Sequence, residues 1–587
     1  MSNYSLSRWS LDDLFPAIDS PEVKKTMAEL DRRCTAFEKH HKHLSARVPT
    51  AMFLAWIREL EAIQISARKL MAFAELHFSG DTQNPQALAF LSGIQQHLTI
   101  LQNRLLFFSI WWKDLPPAAA KRLLAVSGPY RYFLEEMLHY RPHTLSESEE
   151  KIVNLKNITG AQALGTLYQA ITNRYVFGLE VGGEAKKLTR GELMIYTRSA
   201  DPNLRAEAYR SLYRVYETDG PILGQIYAAL VRDWHNENNL LRKFRSPIAA
   251  RNLANDLPDS VVQLLLDVCR RNAPVFQRYF LRKAKRLGVP RLRRYDIYAP
   301  MAEAEKHYTF AEAWELVRES FARFDPGIAD LAGRVLQENH MDSEVRSGKR
   351  DGAFCLSAVP QITPWVLTNF QGRAYDLATL AHELGHAVHS LLAAGNPVFT
   401  FQASLPLAET ASTFAEMLLV DRLLAGESDA AVRRDLLFRQ MDDAYATIGR
   451  QAFFALFEIA AHDCVRKGGS SDDLCMLYRE NLALQFGDSI EVSADFQWEW
   501  AAIPHIFEMP FYVYAYAFGQ LLVLALYNQY KKEGAGFLPR YRRILSAGGS
   551  DSPARILRRA GIQIQREEFW RGGFDLLAER MDRLSAD

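Results

Sequence analysis

His382, Glu383 and His386 stand in the run Thr379-Leu-Ala-His-Glu-Leu-Gly-His-Ala-Val-His389. Four residues apart on a helix, the two imidazoles project from one face, about a turn from each other. Two ring nitrogens so placed can meet one Zn²⁺ at roughly 2.0–2.1 Å each. Glu383 is next to the first histidine and offset around the helix, where it can hold a metal-bound water rather than the metal. Leu380, Ala381, Leu384, Gly385, Ala387 and Val388 are uncharged, so the helix is built for burial. Burying two imidazoles and a carboxylate there without an ion would be costly, and a metal site is the expectation.

A tetrahedral catalytic zinc takes a third protein ligand and keeps its last position for water. A compact three-histidine site would place Gly three and His six residues past His386, and those positions hold His389 and Leu392. A glutamate from a later helix is the other common solution. Leu405-Pro-Leu-Ala-Glu409-Thr-Ala-Ser-Thr-Phe-Ala-Glu416 offers two, seven residues apart and therefore on one face. Glu409 is expected as third ligand, and Glu416 as the partner of a ligand imidazole, with a buried arginine pairing as its alternative. His389 is expected in an outer or substrate-facing position. As a fourth ligand it would close the site and leave Glu383 without a purpose.

The elements that must position these groups are mostly helices. Asp376 suits the N-cap of the metal helix, Gly395 the residue past its last turn, and Pro397 its stop. Ser20-Pro21 opens a helix expected to run to about Val48, and capping-box spacings at Thr189 and Thr309 open others. Tyr175–Val181 followed by Gly182-Gly183 reads as a hairpin. Trp365–Phe370 reads as a strand just before the metal helix, whose open edge could pair with an extended peptide. The main boundary is placed near residue 180, giving an N-terminal helical region, 1–180, and a catalytic region, 181–587. The cluster Arg291, Arg293, Arg294 reads as a solvated loop.

Composition excludes several classes. At 587 residues the chain is long for one core, so two or more lobes are expected. Lys+Arg 70 against Asp+Glu 69 gives no reason to expect nucleic acid. Five scattered cysteines indicate no disulfide framework and fit a reducing compartment. The opening residues show no secretory signal. Met509 to Tyr530 carries no charge, but its tyrosines and amides favour a helix buried in protein over one facing lipid. The expectation is a cytoplasmic protein, with no membrane partner.

These residues together resemble the oligoendopeptidase F group of the thimet oligopeptidase-like zinc metallopeptidases. The resemblance covers Gly348–Cys355, Val366–Phe370, Thr379–His389, Ala408–Glu416, Ile503-Pro-His505 and Phe511–Tyr516, with the opening Trp9–Phe15. It implies a mostly α, two-lobed fold around a deep channel, a small sheet beside the zinc helix, and one Zn²⁺ per chain. It also implies short peptides as substrates; the protein itself is expected to be a monomer or homodimer. His505 and Tyr514 match the group's substrate-carbonyl contacts, and the tyrosine in that role is one of Tyr512, Tyr514 and Tyr516. The expected activity is a zinc endopeptidase, with Glu383 as general base and acid and His505 and Tyr514 stabilising the oxyanion. The alternatives are a zinc exopeptidase and a non-catalytic helical protein with a structural zinc.

Overall fold

The computed structural model describes residues 4–301 and 307–586. Helices carry most of it, and the described strands form three small sheets. Two compact units result, each assembled from separated stretches of chain. The first takes Met1–Arg141, Glu305–Gly426 and Gln529–Gln563; the second takes Pro142–Ala304, Glu427–Asn528 and Ile564–Asp587. Residue 180 lies within the second unit, in the hairpin strand Phe177–Val181, which pairs with Glu184–Leu188. Gly182 and Gly183, with φ of 64° and 85°, supply the turn there. That glycine pair is a local signal, whereas the units follow contacts between residues far apart in sequence.

In the first unit, helices Pro21–Glu38, Thr50–Gly80 and Pro85–Asp114 pack around an aromatic core that includes Phe37, Phe53, Phe108 and Trp112. Ser20 caps the first helix as expected, accepting from the Val23 N–H. The helix stops at Glu38 rather than near Val48. A tight turn, Lys39–His43, follows, in which His40 meets Glu59 at 3.3 Å and packs on Trp56.

Trp365–Leu367 is the middle strand of a three-stranded sheet, parallel to Met341–Asp342 and antiparallel to Phe354–Leu356. Both its sides are hydrogen-bonded, so it is not the edge strand expected; the edges of this sheet are Met341–Asp342 and Phe354–Leu356. The buried Lys349 ammonium ties the sheet's loops together, donating to the carbonyls of Glu344 and Thr368 at 2.7 Å and pairing with Asp342 at 2.9 Å.

The metal helix runs Ala374–Leu392. Arg373 is its N-cap, and Asp376 acts from three residues inside, accepting from the N–H of Arg373 (3.0 Å) and Gln371 (2.9 Å). A carboxylate at that position can reach back to the free N–H groups, so the expected cap is one turn off in place and right in function. Gly372 before it, at φ 88°, touches the Tyr308 carbonyl so closely that a Cβ would lie 2.7 Å away.

In the second unit the basic cluster is solvated only in part: Arg291 is exposed and Arg293 half-buried, but Arg294 is not at the surface. Arg294 is buried against Glu499 at 2.7 Å, and Arg450 reaches the same carboxylate at 2.9 Å. Among the described residues no helix is long and apolar enough to cross a membrane.

Candidate metal centre and the His505 cluster

The metal helix lies against the helix Thr410–Gly426, and their contact depends on Gly385. A Cβ at Gly385 would stand 2.6 Å from the Ser412 Cα and 2.7 Å from the Ala411 carbonyl oxygen. Only hydrogen at this position lets the two backbones approach so closely. The approach carries the carboxylates to the histidines.

Nε2 of His382 and Nε2 of His386 each lie 3.3 Å from Oε2 of Glu409. Ligands around a tetrahedral zinc, at bonds of roughly 2.0–2.1 Å, would be separated by about 3.3 Å. The three ligand atoms lie within 4.8 Å of one another, so the donor set and its spacing fit a zinc ion. Glu416 meets the other nitrogen of His382, Nδ1, at 2.5 Å, the contact that fixes a ligand imidazole's tautomer and ring orientation. The carboxylates also make the space between the rings a cation well. Burial opposes a proton on His382, but Glu409 and Glu416 outweigh it and raise its pKa to about 10. Burial likewise raises the Glu409 carboxyl, yet the two imidazoles prevail and hold it well below the usual range.

Glu409 does not sit in a continuous helix with Glu416, as the apolar run implied. A short helix, Leu405–Ala408, ends there, and Glu409 turns the chain before Thr410. Ser412 secures the turn, its hydroxyl donating to Oε2 of Glu409 at 2.6 Å. Nothing in its residue type marked Ser412 beforehand; its position three residues past a candidate ligand was the available signal.

Glu383 is buried on the same helix, and burial raises its carboxyl pKa against the pull of His382 and His386. His389 is buried and hydrogen-bonded to the backbone of Ala408, the residue before Glu409; burial lowers its pKa to about 4. Asp13, Glu338 and His340 also bring ligand atoms together. There His340 is held between the Thr363 carbonyl (2.8 Å) and Asp13 (3.3 Å), and Glu338 pairs with Arg334 at 2.9 Å, which satisfies the group without an ion.

The second unit gathers His505, Tyr512 and Tyr516. The Tyr516 hydroxyl lies 3.4 Å from Nε2 of His505, and the Tyr512 ring is parallel to the imidazole at 6.0 Å between centroids. Tyr512 and Tyr516 meet edge to face at 5.2 Å. Tyr514 is not among them: it is fully buried, and its hydroxyl accepts from the Asn255 amide at 2.8 Å. Two residues from each neighbour, it points to the other side of the helix that begins there.

The model of peptidase family M3 matches residues 195–576, and that of the oligopeptidase F N-terminal region matches 112–177. The group B oligopeptidase PepB of Streptococcus agalactiae is 30% identical over 78% of this chain and 76% of its own length. An oligoendopeptidase F homolog of Borreliella burgdorferi is 27% identical over 95% and 94%. The crystal structure of oligoendopeptidase-F from Enterococcus faecium superposes with a TM-score of 0.71 over 96% of this chain and 98% of its own, at 24% identity. A Chlamydophila abortus crystal structure reaches 0.90 over 99% and 98%, at 25% identity. The chain belongs to peptidase family M3, as a metallopeptidase of the oligoendopeptidase F group.

Proposed function

We propose that this peptidase hydrolyses internal bonds of short oligopeptides with one zinc ion held by His382, His386 and Glu409. The observation that carries the reading is the pair of 3.3 Å separations on Glu409, with Glu383 on the same helix as both histidines. When bound, zinc supplies Lewis acidity, lowering the pKa of a water toward about 7 and polarising a carbonyl. Glu383 takes the proton of the attacking water and returns it to the departing amine. Glu416 keeps the His382 ring in the tautomer that turns Nε2 toward the centre, and Ser412 orients the Glu409 carboxylate. His505 and Tyr516 donate to the carbonyl oxygen of the bound peptide as charge develops on it, with Tyr512 beside them. Tyr516 takes the role first given to Tyr514, whose hydroxyl is engaged by Asn255. The free cysteines agree with a cytoplasmic, reducing location.

The test is Glu383→Gln, with zinc measured by atomic spectroscopy and cleavage followed on an end-blocked, internally quenched peptide. Zinc content should stay at one per chain while kcat falls by about 10²–10⁴-fold, the usual range for a lost general base. Near-normal turnover would refute the mechanism. Cleavage only of peptides with a free terminus would replace it with an exopeptidase.

A further inference from the structure

The segment that carries His505, Tyr512 and Tyr516 contains a strained residue. Phe511 adopts φ 58°, the left-handed region that an aromatic side chain disfavours. Its phase matters, because it stands between the short helix Pro504–Glu508 and the helix that starts at Tyr514. Rotating the backbone there would swing Tyr512 and Tyr516 away from His505 together.

Two side chains hold the peptide unit that leads into this residue, one at its carbonyl and one at its N–H. Arg251 donates from Nε to the Pro510 carbonyl at 3.0 Å, and the Phe511 N–H donates to Oε1 of Glu458 at 2.7 Å. Glu458 comes from the helix Arg450–Arg466 and has no exposed surface. Its other oxygen, Oε2, has no hydrogen-bond partner among the described residues. His462, one turn on, is 4.0 Å away and packs its ring on Phe511 at 4.5 Å. It is not a counter-ion, since burial keeps the imidazole neutral, its pKa lowered to about 3. A half-satisfied carboxyl in this interior is expensive, and its one strong contact is the strained backbone.

We propose that Glu458 is a positioning residue for peptide hydrolysis: by accepting the Phe511 N–H it fixes the left-handed turn that sets Tyr512 and Tyr516 beside His505. The inference rests on the reading of His505 and Tyr516 as groups that contact the substrate.

The test uses Glu458→Leu and Glu458→Met, which fill the space without an acceptor, and Glu458→Gln, which keeps a carbonyl oxygen for Phe511. Zinc content and thermal unfolding are measured alongside kcat and KM on the quenched peptide. The Leu and Met variants should bind zinc normally yet lose kcat by about 10²-fold, the scale of an ångström-size misplacement, while the Gln variant stays within about threefold. Tyr516→Phe should cost far less in the Leu background than in the otherwise unaltered enzyme, because both changes remove the same contact. Unchanged kcat in the Leu and Met variants, equal impairment in the Gln variant, or strict additivity with Tyr516→Phe would each overturn the proposal. If Tyr516→Phe and His505→Ala alone leave kcat/KM unchanged, the substrate-contact reading fails first and the proposal falls with it.

Discussion

Gly385→Ala should weaken zinc binding and lower stability together. The added Cβ would lie 2.6 Å from the Ser412 Cα, 0.8 Å short of the 3.4 Å at which ordinary contact begins. Its next neighbours, the Ala411 oxygen and carbon at 2.7 and 2.9 Å, are backbone too, so no side chain can swing aside. The two helices must part by most of an ångström. His382 and His386 flank the substituted residue on one helix, and Glu409 lies just before Ala411 on the other element. Metal–ligand distances tolerate only about ±0.2 Å, so the separation falls directly on the centre.

Overpacking of this kind costs roughly 1–3 kcal/mol. The sign is informative, because Gly→Ala in an exposed helix would be favourable by about 1 kcal/mol. Zinc affinity, read by competition with a chelator, should fall about 10–100-fold, as when outer support of a ligand is lost. Thermal unfolding of the metal-stripped protein isolates the packing effect and should show a lower midpoint. An unchanged or raised midpoint with normal zinc affinity would refute the argument that this glycine sets the helix spacing.

Glu416→Ala should leave the fold intact and reduce zinc affinity by about 10–100-fold, seen in the same chelator competition, because Nδ1 of His382 loses its partner. Tyr516→Phe should lower kcat/KM on the quenched peptide by about 10²–10³-fold, the usual worth of one oxyanion donor. Tyr514→Phe removes only the hydroxyl bonded to Asn255 and should stay within a few-fold of the parent; the reverse order would restore Tyr514 to the site. Burial pushes Glu458 up to about 8 from an ordinary 4.5, so the folded state holds this proton more tightly than the unfolded chain. Its contribution to stability is therefore complete below pH 4.5 and is lost as pH rises through 8. Relative to Glu458→Gln, the parent should lose melting temperature across that window, and parallel curves would show that the carboxyl titrates normally.

Much of the candidate site's geometry was legible because helical spacing fixes it locally. His382 and His386 share a face by four-residue arithmetic, and Glu416 lands on Nδ1 two turns from Glu409 although the helix is broken at Glu409 itself. The break costs nothing in register, since Glu409 still accepts the Thr413 N–H through its carbonyl at 3.1 Å. The strand Trp365–Leu367 was recognisable by its residues, but its place in the middle of the sheet was not. Strand order depends on Met341 and Phe354, whose short runs carry no periodicity of their own. Arg294 looked solvated for the same reason: Glu499, which neutralises it, is 205 residues away.

The tyrosines show where local reasoning stops. Spacing of two along a helix required that Tyr514 face away from Tyr512 and Tyr516, but gave no means of choosing which side meets His505. That choice is a matter of phase, and the phase is set where the helix begins. Here it follows the left-handed Phe511, whose N–H is held by Glu458 across 53 residues of sequence. Glycine, asparagine or aspartate would have announced a left-handed turn in the sequence, and phenylalanine announces the opposite. A strained residue that contradicts its own propensity must be held from elsewhere in the fold. The same contact that made the tyrosine assignment unreadable therefore identifies Glu458 as the group to test.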